Sequence, residues 1–246
     1  MSFLPLHQRI EESSFSALPA AQTLLHDGWL IRMAGGGPKR ANSVNPLAVS
    51  TMAVEQKFSY CKNLFARQHI PLTFRLTGHA HNAALDIFLE QQGLVRMDDS
   101  IVMTRSLEPL PDVPSPAAAF REISAEPWFT LMHQLDSASQ ERKLKHVALL
   151  KMLALPAIHG CVGEGAAIGL GVVDGDYAGI FDITTDPAMR RQGHARALTL
   201  GILQAAKQRG ATTAYLQVVA SNAPAISLYE SMGFTAAYRY WYRCRP

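Results

Sequence analysis

The chain has 246 residues and a mass of 26.9 kDa, enough for one large domain or for two domains of about 120 residues each. Hydrophobic residues make up 48% of it and charged residues 17%, which supports a sizeable core and argues against a disordered chain. The net charge of +3 comes without a dense lysine or arginine run, so we expect no nucleic-acid partner.

Cysteine usage and hydropathy bear on the compartment. Cys61, Cys161 and Cys244 are odd in number, far apart and without metal-type spacing, so we expect reduced thiols and no metal site. The N-terminus lacks a signal pattern, and no apolar run approaches the ~20 residues of a membrane span. We therefore expect a cytoplasmic protein with no membrane partner.

The first half alternates between strand and helix patterns. In chain order we predict two strands, a helix, a strand, a helix and a closing strand: Trp29–Ala34, Ala41–Val44, Thr51–His69, Pro71–Thr77, His81–Gln92 and Arg96–Arg105. The segment Arg40–Val44 is the polar exception. We interpret it as a solvated edge strand with turn residues, and contact with a substrate is the alternative.

A proline-rich segment, Leu107–Ala119, divides the chain. Proline removes backbone donors and fixes φ, so this segment suits a linker better than a sheet interior or a helix. Beyond it we predict two helices, three strands, a helix, a strand, a helix and a last strand: Glu126–Asp136, Glu141–Leu153, Ala157–Glu164, Ala166–Val173, Tyr177–Thr185, 194–209, Ala214–Val219, Pro224–Met232 and Thr235–Arg243. Asp174-Gly175 indicates a hairpin with a type I′ turn.

The two halves are similar when one is shifted by 140 positions. Pro71–Leu94 then aligns with Ala211–Phe234 without a gap, and seven of the 24 pairs are identical. Average composition gives roughly one or two identical pairs by chance. We interpret the halves as a tandem repeat, with convergent strand-loop-helix patterning as the alternative.

The segment Arg190–Ala195, with the sequence RRQGHA, joins a predicted strand to a predicted helix. A turn of this kind presents backbone N–H groups without internal partners at the positive end of the helix dipole. The two arginines add full charges, and Gly193 lacks the Cβ that would hold a phosphate away. The segment therefore predicts an anion-binding loop. A Rossmann nucleotide site is excluded, because no Gly-x-Gly-x-x-Gly follows a first strand.

This loop resembles the pyrophosphate-binding loop of the GCN5-related N-acetyltransferases (GNAT family), whose pattern is Gln/Arg-x-x-Gly-x-Gly/Ala. Two later segments are also similar to family motifs: 222–225 (NAPA), at a helix start, and 228–234 (LYESMGF), which resembles LYE-x-x-GF. The three segments occur in the family's order. The resemblance covers about residues 120–246 well and residues 1–106 only in outline.

The resemblance implies an α+β, mixed-sheet fold of two tandem GNAT-like domains, each a mostly antiparallel sheet flanked by helices. Residues 1–106 would be a degenerate copy, 107–119 a linker and 120–246 the catalytic acetyltransferase domain. In the first half the loop's arginines and glycine are replaced by Ser50–Ala53, and Tyr229 by Leu89. We expect the degenerate copy to pack against the active one and to shape the substrate cleft.

The resemblance implies transfer of the acetyl group of acetyl-CoA to an amine by direct attack in a ternary complex. The implied cofactor-binding residues come from a splayed strand, the loop and a helix start: Ile183, Thr184, Thr185, Arg190, Arg191, Gln192, Gly193, His194, Ala195, Arg196 and Asn222. Asn222 also suits a plain helix N-cap, and the two roles are compatible. Tyr229 is implied as the general acid for the leaving thiolate, with a core aromatic as the alternative.

The residues leave the general base open. Where relatives carry an acid or a histidine on the strand before the loop, this chain has Gly179 and Phe181. Strand alternation turns Asp182 to the other face unless a bulge intervenes. Glu164 and His146 are more distant candidates, and a water relay or an amine of low pKa would remove the need for a base.

Several partner and function alternatives also stay open. The acceptor is an amine-bearing small molecule or a protein amine, either an N-terminus or a lysine. The chain is expected to be a monomer or a homodimer. The alternative function is that of a non-catalytic acyl-CoA-binding sensor or scaffold.

Overall fold

The computed structural model describes residues 6–78, 80–110, 120–135 and 138–245. Its strands are β1 (Gln22–His26), β2 (Trp29–Met33), β3 (Ser43–Pro46), β4 (Thr73–Thr77), β5 (Val95–Ser106), β6 (Phe120–Glu122), β7 (Ala157–Val162), β8 (Ala167–Asp174), β9 (Tyr177–Thr185), β10 (Thr213–Val219) and β11 (Thr235–Cys244). Its α-helices are α1 (Leu6–Ser16), α2 (Val54–Arg67), α3 (Ala80–Gln91), α4 (Ala125–Leu135), α5 (Gln140–Leu150), α6 (His194–Gln208) and α7 (Ala223–Ser231). Residues 111–119, most of the predicted linker, lie outside the described residues.

The strands of the described residues form one sheet, in the order β1-β2-β3-β4-β11-β5-β10-β9-β8-β7-β6. The pairs β3–β4 and β9–β10 are parallel, and the other neighbours are antiparallel. This mixed, mostly antiparallel sheet with flanking helices confirms the predicted fold class.

The last strand of each half pairs with strands of the other half. β11 pairs with β4, with Tyr240 opposite Thr77, and its other edge pairs with β5. β5 in turn pairs with β10, with Ser106 opposite Thr213. The two halves therefore exchange their closing strands, and the sheet runs without interruption across the chain.

Most predicted elements are present within a few residues of their predicted bounds. The patterns did not reveal α1, β1 or β6. α1 buries polar residues, Glu11, Ser13 and Ser14, so it lacks the apolar stripe by which a surface helix is recognised. β1 is a mostly exposed strand at the sheet edge, and β6 has only three residues.

Two local predictions were wrong. The hairpin between β8 and β9 is present, but Asp174 pairs with Tyr177, so its central residues are Gly175 and Asp176. Gly175 alone of the two has positive φ, at 58°, which fits a type II′ turn rather than type I′. The expected edge strand is also not at an edge. β3 lies between β2 and β4, and all four of its residues are buried.

Helix α6 packs closely against the second half of the sheet. Its apolar face, including Leu198 and Ile202, joins a core cluster with Ile158, Leu216 and Phe234. Gly201 permits the close approach, because a Cβ built there would lie 2.1 Å from the ring of Phe120. A second cluster lies under α1, α4 and α5, and a third lies under α2 and α3.

Among the helices that the structure describes, none has both the length and the apolar character needed to cross a membrane.

Candidate active site

Strands β9 and β10 run side by side for only part of their length. Their pairing extends from Tyr177 opposite Thr213 to Ile180 opposite Leu216, whereas β9 continues to Thr185. The other edge of β9 stays paired with β8 up to its end. The last residues of β9 therefore have no β10 partner, which leaves room for an extended ligand to pair with them as a further strand would.

The loop after β9 enters helix α6 without a side-chain cap. Gly193 is the N-cap residue, and no side chain accepts a hydrogen bond from the first-turn N–H groups. Gly193 has φ of 82°, a conformation that favours glycine, and a Cβ built there would meet no atom within 4 Å. The N–H groups and the positive end of the helix dipole are therefore available to an anion.

This loop opens onto a cavity of about 650 Å³, which we call the loop cavity. Its lining contains ten of the eleven predicted cofactor-binding residues: Ile183, Thr184, Thr185, Arg190, Arg191, Gly193, His194, Ala195, Arg196 and Asn222. Gln192, the eleventh, is not among the lining residues. Both ring nitrogens of His194 are buried and lack a hydrogen-bond partner among the described residues. The loop thus offers uncapped N–H groups, two arginines and an orphaned imidazole to a phosphorylated ligand.

Two side chains hold the far wall of this cavity in place. Asn222 Oδ1 accepts a hydrogen bond from the Ala225 N–H at 3.2 Å, so Asn222 caps α7 while it also lines the cavity. Arg196 donates to Ser231 Oγ at 3.0 Å, which ties α6 to the end of α7. The N-cap role of Asn222 is therefore confirmed, and its contact with a cofactor stays a prediction.

Tyr229 lies on α7 in the core behind this wall. It is 9% exposed, and its ring meets Phe234 edge-on at 5.9 Å between centroids. Burial raises the pKa of Tyr229 to about 12. Leu228, the preceding residue, lines the cavity, whereas Tyr229 is not among the lining residues. The hydroxyl is therefore a protonated group at neutral pH, one residue away from the cavity wall.

A second cavity, of about 830 Å³, lies between the two halves of the chain. The first half contributes a glycine-proline-basic segment and part of β5, and the second half contributes α5 and the ends of three strands. The lining residues are Gly37, Pro38, Lys39, Arg40, Asp98, Ser100, Ser139, Glu141, Arg142, Lys145, His146, Asp182, Val219, Tyr240 and Tyr242. We call this cavity the inter-half cleft.

A histidine-aspartate pair lies in the inter-half cleft. His146 Nε2 is 2.9 Å from Asp182 Oδ2, and Nδ1 is buried without a hydrogen-bond partner among the described residues. The pair exists because β9 has a bulge. Gly169 of β8 is faced by both Asp182 and Ile183, and Asp182 has φ of 52°. The bulge that strand alternation required is therefore present, and it brings Asp182 to the cleft.

The charges around Asp182 favour its ionised form. Burial by itself would raise the pKa of this carboxyl, but the hydrogen bond and charge of His146, with the charge of Arg40, outweigh burial and hold the pKa below its usual value. Glu164, the other distant candidate, lies elsewhere, in a surface hollow beside Gly165. The structure thus brings together two of the three acid-base candidates.

The corresponding loop of the first half already contains an anion. The Asp27 carboxylate accepts hydrogen bonds from the N–H groups of Thr51 and Met52, at 3.0 and 2.9 Å, and from the Thr51 hydroxyl at 2.7 Å. These bonds, led by that from Met52, hold the pKa of Asp27 well below its usual value. Lys57, fully buried, donates to Ser50 and to the Asp27 carbonyl. An internal carboxylate thus occupies the N–H groups that stay free in the second half.

Residues 8–243 match the family model described as "Probable histone acetyltransferase Rv0428c C-terminal". The chain is 27% identical over 248 residues to the uncharacterized N-acetyltransferase YobR of Bacillus subtilis (strain 168), covering 97% of this chain and 98% of that protein. The ribosomal protein bS18 alanine N-acetyltransferase of Escherichia coli (strain K12) is 45% identical over 75 residues. That match covers 30% of this chain and spans about half, 51%, of that relative's length.

Solved structures share the fold over nearly the whole chain. A GCN5-related N-acetyltransferase from Kribbella flavida superposes with a TM-score of 0.74 at 14% identity, covering 99% of this chain and 97% of that one. A tandem GNAT protein from the clavulanic acid biosynthesis pathway gives 0.66 at 14% identity, with coverages of 96% and 87%. At these identities the likeness concerns the fold alone.

Proposed function

Since this chain belongs to the GCN5-related N-acetyltransferase family, we propose that it transfers the acetyl group of acetyl-CoA directly to an amine in a ternary complex. The position of the two cavities relative to each other supports the proposal. The consecutive residues Asp182 and Ile183 line different cavities, the inter-half cleft and the loop cavity, so the two cavities adjoin at the bulge of β9. A donor in one cavity and an acceptor in the other would meet there.

The loop cavity is the site that we propose for coenzyme A. Its diphosphate would accept hydrogen bonds from the N–H groups around Gly193 and pair with Arg190 and Arg191. The unpaired edge of Ile183–Thr185 would hold the pantetheine arm and orient the thioester carbonyl. When bound, acetyl-CoA supplies an activated acyl group and a thiolate leaving group.

Tyr229 is the residue that we propose as general acid. Its raised pKa, about 12, keeps the hydroxyl protonated, so it can donate a hydrogen bond to the leaving sulfur. A free thiol has a pKa of ~8.5, so full transfer of the tyrosine proton to the thiolate runs uphill and must be coupled to the proton that the attacking amine releases. Leu228 lines the loop cavity, and Tyr229, the next residue of α7, does not. The assignment therefore requires that ligand binding bring the Tyr229 hydroxyl to the cavity.

The His146–Asp182 pair is the proton acceptor that we propose for the amine. Hydrogen bonding of Nε2 to the Asp182 carboxylate leaves the Nδ1 lone pair to take a proton, and the carboxylate stabilises the resulting imidazolium. Nδ1 is enclosed in this structure. The proton would therefore reach it from the cleft through a water relay.

We further propose that the two halves are a tandem repeat of GNAT-like domains, 1–106 and 120–246, joined by the linker 107–119. Helix α2 begins at Val54 and helix α6 at His194, which reproduces the 140-residue offset. Asp27 fills the loop of the first half, which supports a single coenzyme site in the second. The proposal places the protein in the cytoplasm, as a monomer or a homodimer, with an amine-bearing small molecule or protein amine as acceptor.

Acetyl-CoA with a panel of amines, followed by release of free thiol, tests the activity. Gly193→Asp places a carboxylate against the proposed diphosphate position, and we expect it to weaken acetyl-CoA binding by at least 10-fold. Ala53→Asp, at the corresponding N-cap position of the first half, is the matched control and should leave that affinity unchanged. Undiminished affinity of Gly193→Asp would refute the loop assignment. Acetyl-CoA binding without thiol release from any amine would favour a non-catalytic sensor or scaffold instead.

A further inference from the structure

The inter-half cleft contains more cationic groups than its own carboxylates neutralise. Its lining holds four lysines and arginines against three carboxylates, an excess of one positive charge with histidine neutral. Two of the cations have partners: Lys39 Nζ is 2.5 Å from Asp98 Oδ2, and Lys145 Nζ is 2.7 Å from Glu141 Oε1. The remaining two are Arg40 and Arg142, and they form no ion pair among the described residues.

Arg40 belongs to the inner wall of the cleft. It lies on a short 3₁₀ helix of the first half, Lys39–Ala41, and its guanidinium carbon is 4.8 Å from the centroid of the Phe181 ring. Among the described residues its side chain donates one hydrogen bond, a long contact of 3.4 Å to Gln217 Oε1. The carboxylate on which its charge acts, Asp182, is already hydrogen-bonded to His146. The half-buried guanidinium has therefore lost hydration without forming an ion pair of its own, so an incoming anion would stabilise it.

Arg40 also adjoins the proton-accepting pair. Phe181, over which the guanidinium lies, immediately precedes Asp182 in β9. Arg142, on the first turn of α5, is exposed at the rim of the same cleft, four residues before His146. The cleft therefore places fixed positive charge beside a group that would attract and deprotonate an amine.

We propose that the acceptor is a small amine that also carries an anionic oxygen group, a carboxylate in the first instance, and that Arg40 binds this group from the otherwise degenerate half. This inference depends on the acetyltransferase function proposed above. A planar guanidinium matches a carboxylate or a phosphate in two parallel hydrogen bonds. A volume of about 830 Å³ suits a small molecule, and the amine would then point to His146 and Asp182.

The inference gives the first half a function in specificity. Arg40 lies in the polar segment Arg40–Val44, for which substrate contact was one of two interpretations. The other polar side chains of that segment are structural: Asn42 Oδ1 accepts from the Ala34 N–H at 2.8 Å, and Ser43 Oγ donates to Asn45 Oδ1 at 3.1 Å. Arg40 is therefore the side chain of the segment that is left to meet a ligand.

Acetylation kinetics with matched acceptors test the proposal. The probes are the standard L-amino acids, the carboxamides of those that are acetylated, and O-phosphoethanolamine as the phosphate arm. We expect the parent to prefer a carboxylate over its carboxamide, and Arg40→Gln to raise KM for the carboxylate roughly 10- to 100-fold, the worth of a charge-assisted hydrogen-bonded contact. The carboxamide KM should change little, and Arg40→Lys should restore part of the affinity. Any fall in kcat that comes from the weaker field on Asp182 should be the same for both substrates.

Arg67→Gln is the matched control, because Arg67 is exposed at the end of α2 and lines no cavity described here. Melting temperature and acetyl-CoA affinity of each variant separate a folding defect from a lost contact. The proposal would be overturned if Arg40→Gln raised KM equally for carboxylate and carboxamide, or if the parent had the same KM for both. Preference for the phosphate arm would support anion binding and change only the preferred anion.

Failure of the proposed acetyltransferase function would give a different result from failure of the Arg40 proposal. If no amine releases thiol from acetyl-CoA, the acetyltransferase proposal fails. Equilibrium binding of the same amino acids to the parent and to Arg40→Gln would still test whether Arg40 binds an anion. Loss of binding in the variant supports that role, and identical binding contradicts it.

Discussion

A buried ion pair connects the exchanged strand β11 to the first half, and its removal makes the sharpest stability prediction. Arg75 on β4 donates two hydrogen bonds to the Glu11 carboxylate on α1, one of them at 2.8 Å, and Tyr238 on β11 donates a third at 2.6 Å. Glu11 is 5% exposed and Arg75 is 2% exposed. Burial alone would lower the pKa of Arg75, but the Glu11 carboxylate raises it above its usual value, so the guanidinium stays charged.

Glu11→Gln preserves the size of the side chain and removes its charge. The guanidinium is then left buried without a counter-charge, which costs about 3–5 kcal/mol when one partner of a buried pair is removed. For a chain of this length, each kcal/mol lowers the melting temperature by roughly 2–4 °C. We therefore expect Glu11→Gln to melt roughly 6–20 °C below the parent.

Thermal melting and urea unfolding of four proteins measure this cost: the parent, Glu11→Gln, Arg75→Met and the double variant. The double variant removes both charges, so we expect it to be more stable than the sum of the single losses predicts, by at least ~1 kcal/mol. Additive losses, or a Glu11→Gln variant within ~0.5 kcal/mol of the parent, would refute the reasoning. Either result would mean that the buried charge finds solvent or another partner.

The remaining predictions concern pH. His146→Gln should lower kcat/KM of the parent about 10²- to 10⁴-fold at every pH, because it removes the proton acceptor; a variant with the kcat/KM of the parent would exclude His146 as base. Tyr229→Phe should lower kcat without changing the shape of the profile between pH 6 and 9, because a pKa of about 12 leaves the hydroxyl protonated throughout; unchanged kcat would count against the general acid. Asp27→Asn should lower the melting temperature at pH 7 and by a smaller amount at pH 3: the folded pKa of Asp27 lies well below the unfolded value of ~3.9, so its stabilisation is fully present above that value and starts to fall once the pH drops below it. An equal difference in melting temperature between variant and parent at both pH values would contradict this.

The sequence predicted the elements whose pattern is local. The 3.6-residue spacing of Leu198 and Ile202, the Gly193 loop and the Asp174-Gly175 hairpin signal each depend on neighbouring residues. The loop residues could be assigned to one cavity because they lie in consecutive positions that fold as a unit.

Features that depend on distant pairing were not predictable in the same way. Nothing near His146 in sequence shows that its ring meets Asp182, 36 residues later, across a bulge. Asp27 likewise reaches a loop that begins more than 20 residues after it. The exchange of β5 and β11 leaves no local trace, because a strand has the same alternation whichever half it joins.

The exchanged strands also determine when this protein can fold during its synthesis on the ribosome. The edge of β4 stays unpaired until β11 has been made, more than 150 residues later, and β5 waits in the same way for β10. Unpaired edges invite association with other chains, and distant pairings form slowly. The nascent first half therefore keeps unpaired strand edges until β11, a ten-residue strand, is inserted between β4 and β5.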